Sequence, residues 1–518
     1  MFPLTENYLT RGFWGDEAWT SLISQLPYLQ MLKTTAADFH PPGYYTVVEL
    51  WYKVFPPTEV STRIVSIVFY FLTIFLVYKL ASLLINSTSE EPPSTASTTL
   101  STGLLRASEL TSEVNRDKVE GSKLAPWEVI SKKRFWGLLS AIVVAVNPIF
   151  FTYAFEARNY TMFAFASVGS IYFLIGILNK STSEVKSTPT SQVTGGKVEE
   201  SKLAPWEVSR GGVTNVIFFI LFSTLGIYTH YYMFLTLFAQ GFYIVLFHRK
   251  ILLKMIGIYA IIGLLYLPWM PFLLGQLKSV GSGYWIGPID GKTHWEAILR
   301  ILSGEFENGF RPFLLTLSIG LILTGFFQHL KKRILAKAYI LIWFWAVVPF
   351  ILATLPGLSI NGFKLPFRPI FFWRYLIPAS VPLSLIILQP LRTLKLQPLK
   401  ILTLITVIAL SLTIDYLTLT RYPYTFRQVY EQKVLPEIAS RDKIVTVLPS
   451  FAEVLYYRNR FRLDNELIIL PEGIVQFSGK SLLDAYVQNG VVKIDDNPAG
   501  RYFELRPGPS IEMIENSL

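Results

Sequence analysis

Apolar residues in this chain arrive in blocks long enough to cross a bilayer, separated by short polar or basic stretches. Windows of about 20 residues, the length a membrane helix needs, predict ten spans. They lie near Ser61–Ile85, Phe135–Phe155, Tyr160–Leu178, Val213–Tyr228, Tyr231–Phe247, Met255–Leu274, Pro312–Phe327, Ala336–Leu355, Phe372–Leu391 and Ile401–Leu419. The basic connections "SKKR" (131–134), "HRKILLK" (248–254), "HLKKR" (329–333) and "RTLKLQPLK" (392–400) are separated from one another by even numbers of spans. All four therefore share one side, and the positive-inside rule makes that side cytoplasmic. The outer side then holds 1–60, the turns at 155–160 and 229–231, the loops 275–311 and 356–371, and everything after 420.

Two segments break the apolar pattern. "KVEGSKLAPWEV" (118–129) recurs as "KVEESKLAPWEV" (197–208), in loops rich in Ser, Thr, Pro and Glu. Such loops bury too little apolar surface to fold, and length in a loop is cheap, so they read as inserted spacers. After residue 420 the pattern shortens to "DKIVTVLPS" (442–450), "ELIILPE" (466–472) and "VVKIDD" (491–496), read as strands, and "EQKVLPEIAS" (431–440), read as a helix. The expected organisation has three parts. Residues 1–60 are an outer loop with interfacial helices, and 61–420 are the membrane bundle, with inserted cytoplasmic loops at 86–134 and 179–211. Residues 421–518 are a small extracytoplasmic α/β domain.

Composition agrees with the span pattern. Of 518 residues 51% are hydrophobic and only 16% charged, against about 25% charged in an ordinary soluble chain. The net charge of +11 sits mostly between apolar blocks, so positive-inside loops account for it and nucleic acid is not an expected partner. The absence of cysteine removes disulfides, thiolate metal sites and cysteine nucleophiles from consideration.

The candidate chemistry gathers on the predicted outer face. "GFWGDEAWT" (12–20) places Asp16 and Glu17 between two tryptophans, and "ADFHPPGYY" (37–45) follows with Asp38 and His40. Pro41 and Pro42 predict an extended lead into the next helix, with Gly43 allowing a sharp turn. "FEARNYTMF" (155–163) brings Glu156, Arg158 and Tyr160, "THYYMF" (229–234) brings His230, and "FFWRYLIPASVPL" (371–383) brings Arg374 and Tyr375. Ionisable groups at span ends are functional candidates by default. Glu156 and Arg158 equally suit a mutual ion pair, His40 a helix-opening role, and His230 an interfacial aromatic belt. A divalent metal held by Asp16, Glu17, Asp38 and His40 is an open alternative without a recognised ligand spacing.

The outer Asp-Glu pair, the "HPPGYY" element, the "EARNY" turn and the late "RYLIP" together resemble the family 39 type of glycosyltransferase. That group is similar to protein O-mannosyltransferases and lipid A aminoarabinose transferases, which share the GT-C membrane fold. The resemblance extends in order over roughly residues 10–460. It implies a membrane enzyme, in a bacterial plasma membrane, moving a sugar from a polyprenyl-phosphate donor to a lipid, glycan or protein acceptor on the non-cytoplasmic side. Asp16 matches the family's catalytic aspartate and is the expected base, with Glu17 beside it orienting a loop or the acceptor. Arg158 matches the arginine of the "EAR" turn and is the first expected phosphate partner, with Arg374 second. The family begins with a membrane helix ahead of the Asp-Glu loop, and only fifteen residues precede Asp16, so a missing upstream helix is expected. The readings from other classes are a transporter or flippase of lipid-linked sugars and a non-catalytic membrane subunit. The first would favour repeats within the spans and charges at mid-membrane.

Overall fold

The computed structural model describes residues 6–86, 126–186, 205–282, 286–287, 289–332, 337–357, 359–360, 363–364, 369–474 and 479–516. Most of the two spacer loops lies outside these residues. The described ends of the repeated segment behave alike, however. Each "PWEV" opens a membrane helix, Pro126–Ala145 in one case and Pro205–Thr229 in the other. Proline suits a first helical position because its missing N–H would have no partner there.

Among the described residues eight helices are long and apolar enough to cross a membrane. A ninth crossing arises if the bent pair Lys133–Ala145 and Pro148–Ala154 counts as one span. The chain is thus an integral, multi-pass membrane protein. The bend of 69° falls at Asn147-Pro148, where the residue before proline leaves the helical region. Asn147 then caps the second piece, accepting from the Phe150 N–H at 3.2 Å. Two expected spans differ in form. Met233–Phe247 has only 15 residues, or about 22 Å of helix, short for a hydrocarbon core of about 30 Å. The span expected at Met255–Leu274 runs longer, Arg249–Ser279, through a tight turn at Leu267–Trp269.

Three short helices precede the first span: α1 (Gly15–Ile23), α2 (Tyr28–Ala36) and α3 (Gly43–Tyr52). The acidic first turn of α1 suits the positive end of a helix dipole. An interfacial piece is expected here, but residues 17–23 are all buried, because the C-terminal region covers them. Nor is Pro42 extended: its φ of −82° and ψ of −8° are helical. Gly43 serves close approach rather than a turn, since a Cβ there would stand 2.5 Å from the Tyr228 carbonyl oxygen.

The small hairpin of β1 (Ser359–Ile360) and β2 (Phe363–Lys364) decorates one loop. The main sheet comprises β3 (Lys443–Val447), β4 (Leu467–Leu470), β5 (Val492–Ile494), β6 (Gly500–Arg506) and β7 (Ser510–Asn516), in the order β5-β4-β3-β6-β7. The first four are mutually parallel and β7 is antiparallel to β6. The central strand β3 buries Ile444, Val445 and Val447, as a strand covered on both faces should, and its one buried polar side chain, Thr446, donates to the Leu505 carbonyl at 2.6 Å. The helix expected over 431–440 starts earlier, at Phe426, and widens to a π-helical turn over Tyr430–Val434. Pro436 has no N–H to give to the preceding turn, and the helix stops at Glu437.

Helices Phe451–Arg460 and Lys480–Gln488 of this region lie against α1 and α2. Phe13, Trp19, Leu22 and Tyr44 share one apolar cluster with Tyr430, Phe451, Leu455 and Leu482. Gly12 fits into this seam only without a side chain, because a Cβ would lie 2.0 Å from the Thr425 hydroxyl.

Candidate active site

Asp16 and Glu17 stand side by side on α1 and meet different surroundings. Glu17 is fully buried. Arg63, from the first span and equally buried, grips it with two N–H groups: Nε to Oε1 at 2.8 Å and Nη2 to Oε2 at 2.7 Å. Arg11 adds a contact at 3.3 Å and the Ala157 N–H another at 2.9 Å. Burial alone would raise the Glu17 pKa, but Arg11, Arg63 and the Ala157 N–H hold it below the ordinary value. Arg63 also donates to the carbonyls of Leu9, Arg11 and Gly12. The pair therefore ties segment 9–12, α1, the first span and the "EAR" turn into one rigid knot.

Glu156 belongs to the same knot. It accepts from the Tyr8 hydroxyl at 2.6 Å, the Trp14 indole at 2.8 Å and Arg11 at 3.0 Å. The mutual Glu156–Arg158 pair allowed by the sequence does not form, since Glu156 turns to Arg11 and Arg158 turns to Asp16.

Asp16 is set loosely by comparison. Its side chain is 43% exposed, and its Oδ2 lies 3.7 Å from Arg158 and 3.8 Å from Arg374. Those are ion-pair distances, too long for hydrogen bonds. The Nε of each arginine is buried and has no hydrogen-bond partner among the described residues. Arg374 is held in place by the faces of Trp14 at 4.8 Å and Trp373 at 5.3 Å, and by Glu305 at 3.7 Å. Arg158 lies 6.0 Å from the Tyr160 ring centroid. Two guanidinium groups thus converge beside one half-exposed carboxylate with donors to spare, the arrangement a tetrahedral anion satisfies.

Tyr160 leads from this centre to an apolar cavity. Its ring is 6.2 Å from His230, which stacks on Phe163 at 5.0 Å and meets Tyr375 edge-on at 5.0 Å. His40, Phe39, His230, Leu235, Leu273 and Tyr375 are among the residues around about 280 Å³ of open space. Burial, with His40 and Arg158 nearby, pushes the His230 pKa well below its ordinary value. Its Nδ1 accepts from the Tyr232 N–H at 3.1 Å, which leaves Nε2 as the protonated nitrogen. His40 contacts Asp38 at 3.3 Å and is partly exposed.

Asp16, Arg158, Tyr160 and Arg374 thus form one group, and His40, His230 and Tyr375 line the adjoining cavity. Glu17 and Glu156 lie behind them. Among the described residues no three His, Asp or Glu side chains come close enough together to share a metal ion, so the four-residue metal set does not assemble. Sequence reasoning missed Tyr8, Arg11, Arg63 and Glu305. Arg63 sits inside an apolar block, and the other three lack any local motif.

No protein-family model matches this sequence, and no curated protein does. Solved structures do resemble the fold. The crystal structure of ArnT from Cupriavidus metallidurans in the apo state superposes with a TM-score of 0.55 at 10% identity, covering 96% of this chain and 89% of that one. The same protein bound to undecaprenyl phosphate gives a TM-score of 0.52 at 10% identity, covering 96% and 90%. The architecture of this chain is the GT-C fold that it shares with ArnT.

Proposed function

We propose that the protein is a membrane glycosyltransferase that takes a sugar from a polyprenyl-phosphate donor and transfers it with inversion to an acceptor hydroxyl. The observation that carries this reading is the half-exposed Asp16 between two arginines whose Nε groups lack partners. The Asp16 carboxylate takes the proton of the acceptor hydroxyl as its oxygen bonds to the anomeric carbon. The bond from that carbon to the phosphate oxygen breaks, and the departing polyprenyl phosphate keeps the electron pair. Arg158 and Arg374 meet the charge that grows on it. The cavity beside His40 and His230 is apolar enough for the first prenyl units. Glu17 acts through position, fixing the backbone that carries Asp16.

Nucleotide sugars are cytoplasmic, whereas the candidate groups all lie on the side assigned as extracytoplasmic, so a lipid-borne donor is the consistent choice. A flippase reading finds less support, because the cationic groups gather at one end of the bundle. The test uses purified protein in liposomes with a radiolabelled polyprenyl-phosphate sugar. Asp16→Asn should lower transfer about 100-fold or more. Equal turnover would remove Asp16 from the mechanism, and turnover with a nucleotide sugar alone would overturn the donor.

A further inference from the structure

Helix Phe451–Arg460 packs along α1 and carries a carboxyl that the transfer scheme does not use. A Cβ built on Gly15 would lie 3.7 Å from the Glu453 Oε2, which places that carboxyl beside the N-terminal turn of α1, at the position before Asp16. Glu453 is partly buried and takes no hydrogen bond or ion pair from any described residue. Among the described residues the ion pairs of Arg158 and Arg374 go to Asp16 and Glu305, not to Glu453. Just ahead of Gly15 stands Trp14, partly exposed, with its indole nitrogen fixed on Glu156.

We propose that Glu453 is the acceptor-binding residue of this site, its carboxyl holding a hydroxyl of a neutral sugar acceptor beside Asp16, with Trp14 offering ring surface to the same sugar. The proposal rests on the transferase reading above and adds the acceptor's class to it. The argument is one of charge. The cations at Asp16 are Arg158 and Arg374, where a donor phosphate belongs, and the group that the C-terminal region brings to the first turn of α1 is an acid. An acceptor presenting phosphate at that point would meet two carboxyls. A sugar presenting hydroxyls would find a partner that both donates and accepts, and sugars favour carboxyl and indole groups together because their hydroxyls and their C–H faces are each matched.

The protonation state of Glu453 agrees. Burial, then the negative charges of Asp16 and Glu17, raise its pKa to about 8. The other charged side chains on elements packed against its helix are engaged elsewhere, Arg427 with Glu431 at 2.9 Å and Lys443 with the Ala499 carbonyl at 2.9 Å. At neutral pH the carboxyl is therefore protonated and able to donate. Above that range it ionises, loses its donor and repels Asp16.

The experiment uses full-length protein in liposomes, a radiolabelled polyprenyl-phosphate sugar, and alkyl glycosides with and without a phosphate as acceptors. Glu453→Ala should raise the KM for the neutral glycoside about 10-fold, the scale of one hydrogen bond, and leave the donor KM unchanged. Glu453→Gln should restore most of that affinity. The wild-type acceptor KM should climb above pH 8, and in Glu453→Gln the climb should vanish. Infrared titration between pH 6 and 9 should show a protonated-carboxyl band that Glu453→Gln removes. An unchanged acceptor KM in Glu453→Ala, equal effects on donor and acceptor KM, a preference for the phosphorylated glycoside, or the absence of that band would each overturn the proposal. Asp16→Asn, run alongside, separates the two readings. If it transfers as well as wild type, the transferase scheme falls, whatever Glu453 does.

Discussion

Asp16 and Glu17 are neighbours on one helix turn, yet one faces an open space and the other is sealed. Around Glu17 three of the four contacts are short, two N–H groups of Arg63 at 2.8 and 2.7 Å and the Ala157 N–H at 2.9 Å, with Arg11 at 3.3 Å. Around Asp16 the charges stand off at 3.7 and 3.8 Å. The tight cluster has used up its hydrogen-bonding capacity, whereas the loose one keeps capacity in reserve. A site that must admit a charged ligand needs that reserve, and a scaffold that must hold it still needs the opposite. The chain obtains both from adjacent residues because successive side chains on a helix point about 100° apart.

The comparison breaks most visibly if Glu17 is removed. Glu17→Ala leaves Arg63 buried without its carboxylate and Arg11 with Glu156 alone, which costs roughly 3–5 kcal/mol. We expect lost expression or a steep fall in thermal unfolding temperature in detergent. Asp16→Asn should unfold at the wild-type temperature while transfer falls about 100-fold or more. If the stability losses came out the other way round, the assignment of scaffold and site would be reversed. Next in size, Arg374→Ala removes one charged partner of the anion and should raise the donor KM about 10-fold or more, with little change in the acceptor KM.

Acid titration sharpens the contrast further. The folded-state pKa of Glu17 is depressed, so its stabilisation is present above the ordinary carboxylate pKa and is lost as pH falls through the depressed value. Glu453 has the opposite sign. Its pKa is raised from 4.5 to about 8, so folding becomes less favourable as pH climbs between those two values. Glu453→Gln should flatten that slope between pH 4.5 and about 8 in chemical unfolding, whereas wild type and Asp16→Asn should keep it. This is the smallest effect of the set.

Much of the bundle was legible because twenty apolar residues in a row admit few readings. The candidate groups were legible as types, since Arg158 and Arg374 are ionisable groups at span ends and Asp16 stands in the acidic pair of "GFWGDEAWT". Their partition was not. Glu156 and Arg158 are two positions apart, and nothing local says that one will face Arg11 and the other Asp16. Arg63 sits in "STRIVSIVF", which reads simply as the start of a span. Glu453 lies in "SFAEVLYYRN", an ordinary amphipathic helix until the fold carries it across more than four hundred positions to Gly15. Patterns of hydrophobicity reveal which face is buried, and they do not reveal what it is buried against. The pair β6 and β7 went unread for a related reason, since its alternation is weak and its partner strand β3 is distant.

The seam that joins Gly12 and Phe13 to Thr425 and Tyr457 also sets a clock. The Phe13 N–H bonds the Tyr457 hydroxyl across 444 positions, and Gly12 is walled in by Thr425. At roughly 5–20 residues per second of synthesis, the segment around Asp16 emerges tens of seconds before the residues that cover it exist. During that wait its paired charges and its apolar surface stand uncovered at the membrane face. A chain cut short before Thr425 would therefore leave the segment around Asp16 without its cover. Assembly of the Asp16 site thus waits on residues made more than four hundred positions later.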